Sequence, residues 1–366
     1  MRFSTQRETL LKPMQQVVGV VERRQTLPVL ANLLVQVKGD KLSLTGTDLE
    51  VEMRAGASVE AGEDGETTIP ARKWFDLVRA LPDGVKVDVQ VKGDRVVMHA
   101  GRSRYTLASL PADEFPTTDE IEVSDRITLP EGNLRRLLER TAFAMANQDV
   151  RYYLNGLLLD LRGNELRCVA TDGHRMAMSE TALEGTGKGK RQLIVPRKGV
   201  TELLGLFESG DEAVNIEFSA NHIRVRRGDV TFTSKLIDGS FPDYEAVVPL
   251  GADKVVRVER ELMRNALQRA AILSNEKYRG VRLEVSPNCL RVIAHNPEQE
   301  EAFEEIEAET PVGDIAIGFN VGYLLDALGA LDEDHVHLQL RDAQSSCLLR
   351  GAASEQTQHV IMPLRL

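Results

Sequence analysis

Apolar and polar positions alternate along this chain in two periods, and the periods recur in the same order three times. A 3.6-residue period predicts amphipathic helices over roughly Thr9–Val21, Leu134–Ala146 and Leu262–Leu273. In the second of these, Leu134, Leu137, Leu138 and Thr141 form one stripe at i, i+3, i+4, i+7. Each helix follows an opening strand and precedes a hairpin of apolar strands. The expected pairs are Asn32–Val37 with Lys41–Leu44, Leu157–Leu161 with Glu165–Val169, and Val281–Val285 with Leu290–Ala294. Their turns, Lys38-Gly-Asp-Lys41, Arg162-Gly-Asn-Glu165 and Ser286-Pro-Asn-Cys289, are of equal length and hold turn-forming residues. A second helix is expected over Arg72–Leu81, Arg197–Phe207 and Val321–Leu331, with Asn320 as N-cap of the last. Alternating strands such as Val85–Val91, Val96–Ala100 and Tyr105–Leu107 then close each copy.

The repeat is also literal. Leu42-Ser-Leu-Thr-Gly-Thr-Asp48 recurs as Leu166-Arg-Cys-Val-Ala-Thr-Asp172 and as Leu290-Arg-Val-Ile-Ala-His-Asn296, with offsets 166 − 42 = 124 and 290 − 166 = 124. A unit of that length is domain-sized, not a solenoid repeat. The expected fold is therefore α+β: three tandem two-helix, antiparallel-sheet domains spanning 1–122, 123–250 and 251–366. A chain of three like domains suits a ring or an arc.

Composition alters this picture little. Hydrophobic residues are 42% and charged residues 28%, so a soluble globular chain is expected. The N-terminus carries no apolar leader and no stretch is long and apolar enough to span a membrane. Cys168, Cys289 and Cys347 are scattered, so neither a disulfide framework nor a zinc site is expected, and a reducing cytoplasm fits. The formal net charge of −11 argues against nucleic acid unless the basic residues are segregated onto one surface. They do recur in comparable places. Arg72-Lys73 and Arg197-Lys198 open second helices; Lys12, Arg135, Arg136, Arg140, Arg264 and Arg269 lie on polar faces of first helices; Arg23 and Arg24 lie in a loop. If those helices face inward, a basic hole sits inside an acidic exterior.

Candidate chemistry is sparse. Thr171-Asp-Gly-His-Arg175 resembles a base with its orienter. Asp172, however, aligns with Asp48 and Asn296, which favours an Asx turn. His174 and Arg175 have no such counterparts, so a role specific to the second copy stays open for them. His335 and His337 share a strand face but lack a third ligand, so no metal is expected. No phosphate-cradling or nucleophile-elbow motif is present, and no cofactor is implied. Seven Glu between Glu298 and Glu309 oppose Arg95, Arg102 and Arg104 of the first copy, a pairing that suits head-to-tail association. The apolar end, Val360-Ile-Met-Pro-Leu-Arg-Leu366, is either a last strand or one wall of a peptide groove.

The chain resembles the bacterial DNA polymerase III beta subunit, the replicative sliding clamp, over essentially its whole length. The resemblance is carried by Leu42–Asp48, Pro70-Ala-Arg-Lys73, Asp149-Val-Arg-Tyr-Tyr-Leu-Asn-Gly156, Ala170-Thr-Asp-Gly-His-Arg175, Val195-Pro-Arg-Lys-Gly199, Phe241-Pro-Asp-Tyr244, Ala271-Ile-Leu-Ser-Asn-Glu276, Asn296-Pro-Glu-Gln-Glu-Glu301 and the Met-Pro-Leu-Arg-Leu end. It implies the DNA clamp fold and a non-catalytic, head-to-tail homodimer that encircles double-stranded DNA without reading sequence. The implied partners are the polymerase alpha subunit, the clamp-loader complex, and other polymerases and repair proteins bearing clamp-binding peptides. No membrane is involved. By the same resemblance, DNA contacts fall on Arg24, Arg72, Lys73, Gln148, Tyr152, Tyr153, Arg197 and Lys198. The partner-peptide pocket falls on Leu154, Thr171, Gly173, His174, Arg175, Met176, Pro242, Val247, Val360, Met362, Pro363, Leu364 and Arg365. The dimer contact falls on Lys73, Arg102, Arg104, Tyr105, Leu107, Ile272, Leu273, Glu300 and Glu304. Two positions depart from the family pattern: Ala246 replaces a commonly basic pocket residue, and Phe303 interrupts the acidic run. Two other classes compete: a nuclease or deaminase-like enzyme built on Asp172 and His174, and an oligomeric scaffold that does not encircle DNA.

Overall fold

The computed structural model describes residues 1–22, 27–118, 121–184, 189–310 and 314–365. The first copy contains β1 (Arg2–Gln6), α1 (Arg7–Val17), β2 (Asn32–Lys38), β3 (Lys41–Thr47), β4 (Val51–Ser58), β5 (Glu60–Glu63), β6 (Gly65–Pro70), α2 (Ala71–Ala80), β7 (Lys86–Lys92), β8 (Arg95–Ala100) and β9 (Ser103–Ala108). The second contains β10 (Asp125–Pro130), α3 (Glu131–Glu139), β11 (Gly156–Arg162), β12 (Glu165–Thr171), β13 (Arg175–Ala182), β14 (Lys190–Pro196), α4 (Arg197–Leu206), β15 (Ala213–Phe218), β16 (His222–Arg227) and β17 (Val230–Lys235). The third contains β18 (Lys254–Glu259), α5 (Arg260–Ile272), β19 (Gly280–Ser286), β20 (Cys289–His295), β21 (Glu301–Glu307), β22 (Ile315–Asn320), α6 (Val321–Gly329), β23 (His335–Leu340), β24 (Cys347–Gly351) and β25 (Thr357–Ile361).

The helices sit where apolar periodicity predicts them, with shifted ends. α5 buries Met263, Ala266, Leu267 and Ala270 at i, i+3, i+4, i+7. α3 stops at Glu139, not at Ala146: the Thr141 hydroxyl donates to the Leu137 carbonyl at 2.7 Å, and Ala142–Ala144 tighten into a 3₁₀ turn. α6 starts as its cap predicts, with Asn320 Oδ1 accepting from the Gly322 N–H at 2.8 Å and the Tyr323 N–H at 3.3 Å.

The strands do not close each copy upon itself, which corrects the sequence expectation. β15–β17 of the second copy pair onto β4 of the first, giving the order β10-β15-β16-β17-β4-β3-β2-β6. β23–β25 of the third copy pair onto β13 of the second, giving β14-β11-β12-β13-β25-β24-β23-β18. Each junction covers an otherwise bare strand edge. Two smaller sheets remain, β5-β1-β7-β8-β9 and β21-β20-β19-β22, each ending on an edge strand, β9 and β21.

Contacts divide the chain into two units, Met1–Gly132 with Thr201–Leu236, and Asn133–Val200 with Ile237–Leu366. Each unit holds one eight-stranded and one smaller sheet. The first unit buries Trp74, Phe3, Phe218 and Phe232. In the second, one core joins α5, α6 and the sheets of the third copy through residues such as Met263, Leu283, Phe319 and Leu338. A separate apolar cluster of that unit lies between the second copy and the last strands of the third. Among the described residues, no helix is long and apolar enough to cross a membrane.

Candidate functional site

The suspected base Asp172 is structural. Its Oδ1 accepts from the His174 N–H at 2.9 Å and the Arg175 N–H at 3.0 Å. Asp48 does the same for Glu50 at 2.9 Å and Val51 at 2.7 Å, and Asn296 accepts from Glu300 at 2.9 Å. Asp48 and Asp172 close the same Asx turn, whereas Asn296 reaches one residue farther along the chain. Gly173 sits in the left-handed region at φ +87°, where it costs little. Among the described residues no group of acidic, His or Cys side chains is arranged to hold a metal. His335 and His337 do share one half-buried strand face. Burial, then Arg350 and Arg257, lowers the His337 pKa.

The residues assigned to the peptide pocket converge in the second unit. Leu154, Met176 and Val360 belong to one apolar cluster with Leu158, Val169, Met178, Ile194, Phe241, Tyr244 and Leu348. Strand pairing sets this: Met176 of β13 lies opposite Val360 of β25, and Leu348 of β24 lies opposite Val360 on its other side. Pro242 and His174 are exposed at the margin, as are Val247 (44%) and Met362 (47%). The chain end is pinned there. The Met362 N–H donates to the His174 carbonyl at 3.0 Å, and the Leu364 N–H donates to the Gly318 carbonyl at 2.8 Å. Pro363 is half-buried and Arg365 exposed. Thr171 caps the turn, its hydroxyl donating to the Arg175 carbonyl at 2.6 Å.

Arg175 faces structure more than groove. Its guanidinium reaches Asp172 at 3.2 Å, Asp326 at 2.5 Å and the Phe143 carbonyl at 2.9 Å, and it lies 4.4 Å over the Tyr323 ring. It ties the second copy to α6 of the third.

A network that sequence reasoning missed holds the rim segment Phe241–Val248. The Tyr244 hydroxyl donates to the buried Asp160 carboxylate at 2.7 Å and accepts from Arg162 at 2.7 Å. Arg162 also donates to Asp160 at 2.9 Å and to Glu245 at 2.6 Å. Gln192 donates to Asp160 at 3.1 Å. Burial alone would raise the Asp160 pKa; donation from Tyr244, Arg162 and Gln192 outweighs it, and the pKa falls below the usual carboxylate value. Burial pushes the Tyr244 phenol up. One signal was available: Phe115-Pro116 recurs as Phe241-Pro242 (241 − 115 = 126), which marks the segment as part of the repeat.

The described residues assigned to DNA are exposed or half-buried, in both units. In the second unit the loop before Leu154 is cross-braced. Asp149 pairs with Arg151 at 2.9 Å, and Asn155 bonds the Asp149 backbone at both N–H and carbonyl, each at 2.9 Å. The bonds from Arg151 hold the Asp149 carboxyl down to about 2. The brace presents Gln148 (φ +56°), Val150 (95% exposed) and Tyr152 (57%) to solvent, with Tyr153 half-buried edge-on to Tyr152. Arg197 donates to the Met145 and Ala146 carbonyls at 3.0 and 3.3 Å, and Lys198 is half-buried beside it. In the first unit Arg72 donates to the Val21 carbonyl at 2.9 Å, and Lys73 is exposed. Both arginines therefore fasten the start of a second helix to the segment that follows a first. Arg24 and its neighbour Arg23 lie outside the described residues.

Several basic residues of the helix faces are paired within the chain. Arg135 pairs with Glu139 at 2.7 Å, Arg140 with Asp332 at 2.5 Å, Arg264 with Glu261 at 3.4 Å and Arg269 with Glu304 at 2.6 Å. Intramolecular carboxylates satisfy much of that charge. Lys12 and Arg136 are exposed.

The residues assigned to the dimer contact are split between the units. Arg102, Arg104, Tyr105 and Leu107 lie on edge strand β9 or the turn before it. In the second unit Ile272 is 79% and Phe303 56% exposed, with Leu273 half-buried between α5 and the next turn. Glu300 opens β21's edge, where Asn296 donates to it at 2.6 Å.

Descriptions of three domains of one family match this chain: the DNA polymerase III beta subunit N-terminal domain at residues 1–119, the central domain at 128–243 and the C-terminal domain at 245–365. The chain belongs to the DNA polymerase III beta subunit family. The beta sliding clamp of Pseudomonas aeruginosa is 52% identical over 367 residues, and that of Escherichia coli (strain K12) 50% identical over 367, each covering 100% of both chains. The crystal structure of the DNA polymerase III subunit beta from Pseudomonas aeruginosa matches with a TM-score of 0.97 at 52% identity, covering 100% of both chains. A Pseudomonas aeruginosa sliding clamp solved bound to griselimycin also matches at 0.97, with 52% identity and 100% coverage of each. Members of this beta subunit family thus share the three-domain clamp architecture with the chain across its full length.

Proposed function

We propose that two copies of this chain close head to tail around duplex DNA and hold the replicative polymerase on it as a sliding clamp. The observation that carries this reading is a pair of unfinished sheets. In both eight-stranded sheets, the closing strands of one copy pair with the third hairpin strand of the copy before it, β17 with β4 and β25 with β13. The first copy's closing set, β1-β7-β8-β9, has no preceding hairpin sheet, and the third copy's hairpin sheet, β21-β20-β19-β22, has no following closing set. A second chain supplies each with the missing half: β9 of one chain pairs antiparallel with β21 of the next. Charge agrees, since Arg102 and Arg104 accompany β9 and Glu301, Glu304, Glu305 and Glu307 lie on β21. The exposed Ile272 and Phe303 supply an apolar contact, Phe303 taking a place in the acidic run. Head-to-tail contacts of this kind close into a ring when the rotation permits.

The chain is non-catalytic in this reading, because its one catalytic-looking constellation is a turn that the first copy repeats at Asp48. The domains meet near residues 122 and 250, just before β10 and β18. Sequence-independent contact with DNA phosphates comes from Arg24, Arg72, Lys73, Gln148, Tyr152, Tyr153, Arg197 and Lys198. The apolar groove around Leu154, Met176, Val360 and Met362 takes an extended peptide from the polymerase alpha subunit, the clamp loader and other polymerases and repair proteins. With Ala246 exposed at its rim, charge contributes little to that grip. Three free cysteines fit a cytoplasmic setting.

Retention on DNA tests the reading. After loading by a clamp loader, the protein stays on nicked circular DNA and slides off the same DNA linearised. The Ile272→Ala, Leu273→Ala variant sediments as a monomer and stays on neither. Equal retention on circle and line overturns the topological tether.

A further inference from the structure

The groove of the second unit has a repeat-related counterpart in the first, and strand register aligns the two residue by residue. Thr171 opposite Met176 recurs as Thr47 opposite Glu52. Val169 opposite Met178 recurs as Thr45 opposite Arg54. Met176 opposite Val360 recurs as Glu52 opposite Thr233, and Leu348 opposite Val360 as Arg224 opposite Thr233. Leu158 opposite Ile194 recurs as Leu34 opposite Thr68. The floor stays apolar: Leu30, Leu34 and Phe115 cluster as Leu154, Leu158 and Phe241 do. The walls invert, with Met, Val, Leu and Ile replaced by Glu, Arg and Thr.

These wall residues bond one another. Glu52, 4% exposed, accepts the Thr118 N–H at 2.6 Å and lies 3.6 Å from Arg54. Arg54 donates to Thr45 at 3.3 Å, and Arg224 to Thr233 at 3.1 Å. Thr118 follows Phe115 by three residues, as Tyr244 follows Phe241. Tyr244 is anchored on β11, two strands away from β13, so the strand positions around Met176 stay apolar. Thr118 is anchored on β4 itself, the strand equivalent to β13.

We propose that Glu52, assisted by Arg54, Arg224 and Thr233, closes this second groove, so that each chain offers one peptide site and not two. The proposal rests on the groove reading given above. An apolar anchor entering here would displace the buried Glu52 carboxylate from the Thr118 N–H and strip water from the Arg54 and Arg224 guanidinium groups without replacing those partners. That loss exceeds the gain from burying one aliphatic side chain. Glu52 is thus a specificity-determining residue: it keeps partners on the second unit's groove alone.

Calorimetric stoichiometry tests this, with a synthetic octapeptide carrying adjacent Leu and Phe anchors as the probe. The full-length wild type binds one peptide per chain. Met176→Glu, which copies the closing residue into the open groove, weakens binding more than tenfold; unchanged binding would show instead that the groove reading itself is wrong. Glu52→Met, Arg224→Leu, Thr233→Val binds two per chain, and one per chain when Met176→Glu is added. A folded triple variant that still binds one overturns the proposal. If the triple variant does not fold, Glu52→Leu alone decides: a second, weaker site supports the proposal, and a single site overturns it.

Discussion

The two eight-stranded sheets share strand order and register, yet one presents an apolar groove and the other a bonded polar wall. The difference lies in side chains on matched positions and in one anchoring choice. In the second unit the rim segment is held at Asp160 by Tyr244; in the first it is held at Glu52 by the Thr118 backbone. A repeated backbone lets chemistry diverge without disturbing the ladder, because ladder bonds are made by main-chain groups that ignore side-chain identity. The buried titratable groups diverge as well. His359 on β25 is fully buried opposite Ala177, where the first unit has Phe232 opposite Met53.

The largest contrast is expected from removing Met362–Leu366. That strips Met362 and Leu364 from the groove and frees the His174 and Gly318 carbonyls. Peptide affinity should fall at least about a hundredfold, near 3 kcal/mol for two apolar contacts, while the dimer persists in the ultracentrifuge. Equal calorimetric affinity would place the groove elsewhere.

Tyr244→Phe should come next. It removes the hydroxyl shared by Asp160 and Arg162, costing about 1–2 kcal/mol, and loosens the rim enough to weaken peptide binding about tenfold. The equivalent segment of the first unit has no such tyrosine, so Thr118→Ala should leave peptide affinity unchanged.

pH separates the sheets with opposite signs. Burial, then Arg140 and Arg175, lowers His359 from 6.5 to about 3. Between those values the unfolded chain holds a proton that the folded chain refuses. Stability is therefore present above pH 6.5 and lost as pH falls toward 3. His359→Phe should flatten that acid limb in thermal melts between pH 7.5 and 5; an unchanged limb would assign it to other groups.

The smallest effect belongs to Glu52. Burial raises its pKa above 4.5, against the Thr118 bond and Arg54. Here the folded chain holds the extra proton, so stability falls as pH rises from about 4.5 through the raised value. Glu52→Gln should remove that decline and leave the His359 limb intact.

Much of this was legible in the chain. The 124-residue offset between copies located the hairpins and the Asx turn that disqualified Asp172 as a base. The apolar stripe of α3 was legible but its end was not, because Thr141 turns its hydroxyl back on the helix, and periodicity does not register a side-chain bond. Basic helix faces read as open charge; Arg140 and Arg269 instead meet Asp332 and Glu304, which are remote in sequence. The rim lock joins Asp160 to Tyr244 for the same reason, and only the recurring Phe-Pro pair hinted at it.

The sequence by itself determined the elements, their threefold order and the family, since local periodicity and recurring motifs need no partner to be read. Only the tertiary structure decided which strands meet. The closing strands of each copy join the sheet of the copy before, and that pairing places Met176 against Val360 but Glu52 against Thr233. A strand's edge bonds to any strand that reaches it, so which neighbour it takes, and whether a groove there is open or shut, is settled by packing across the chain.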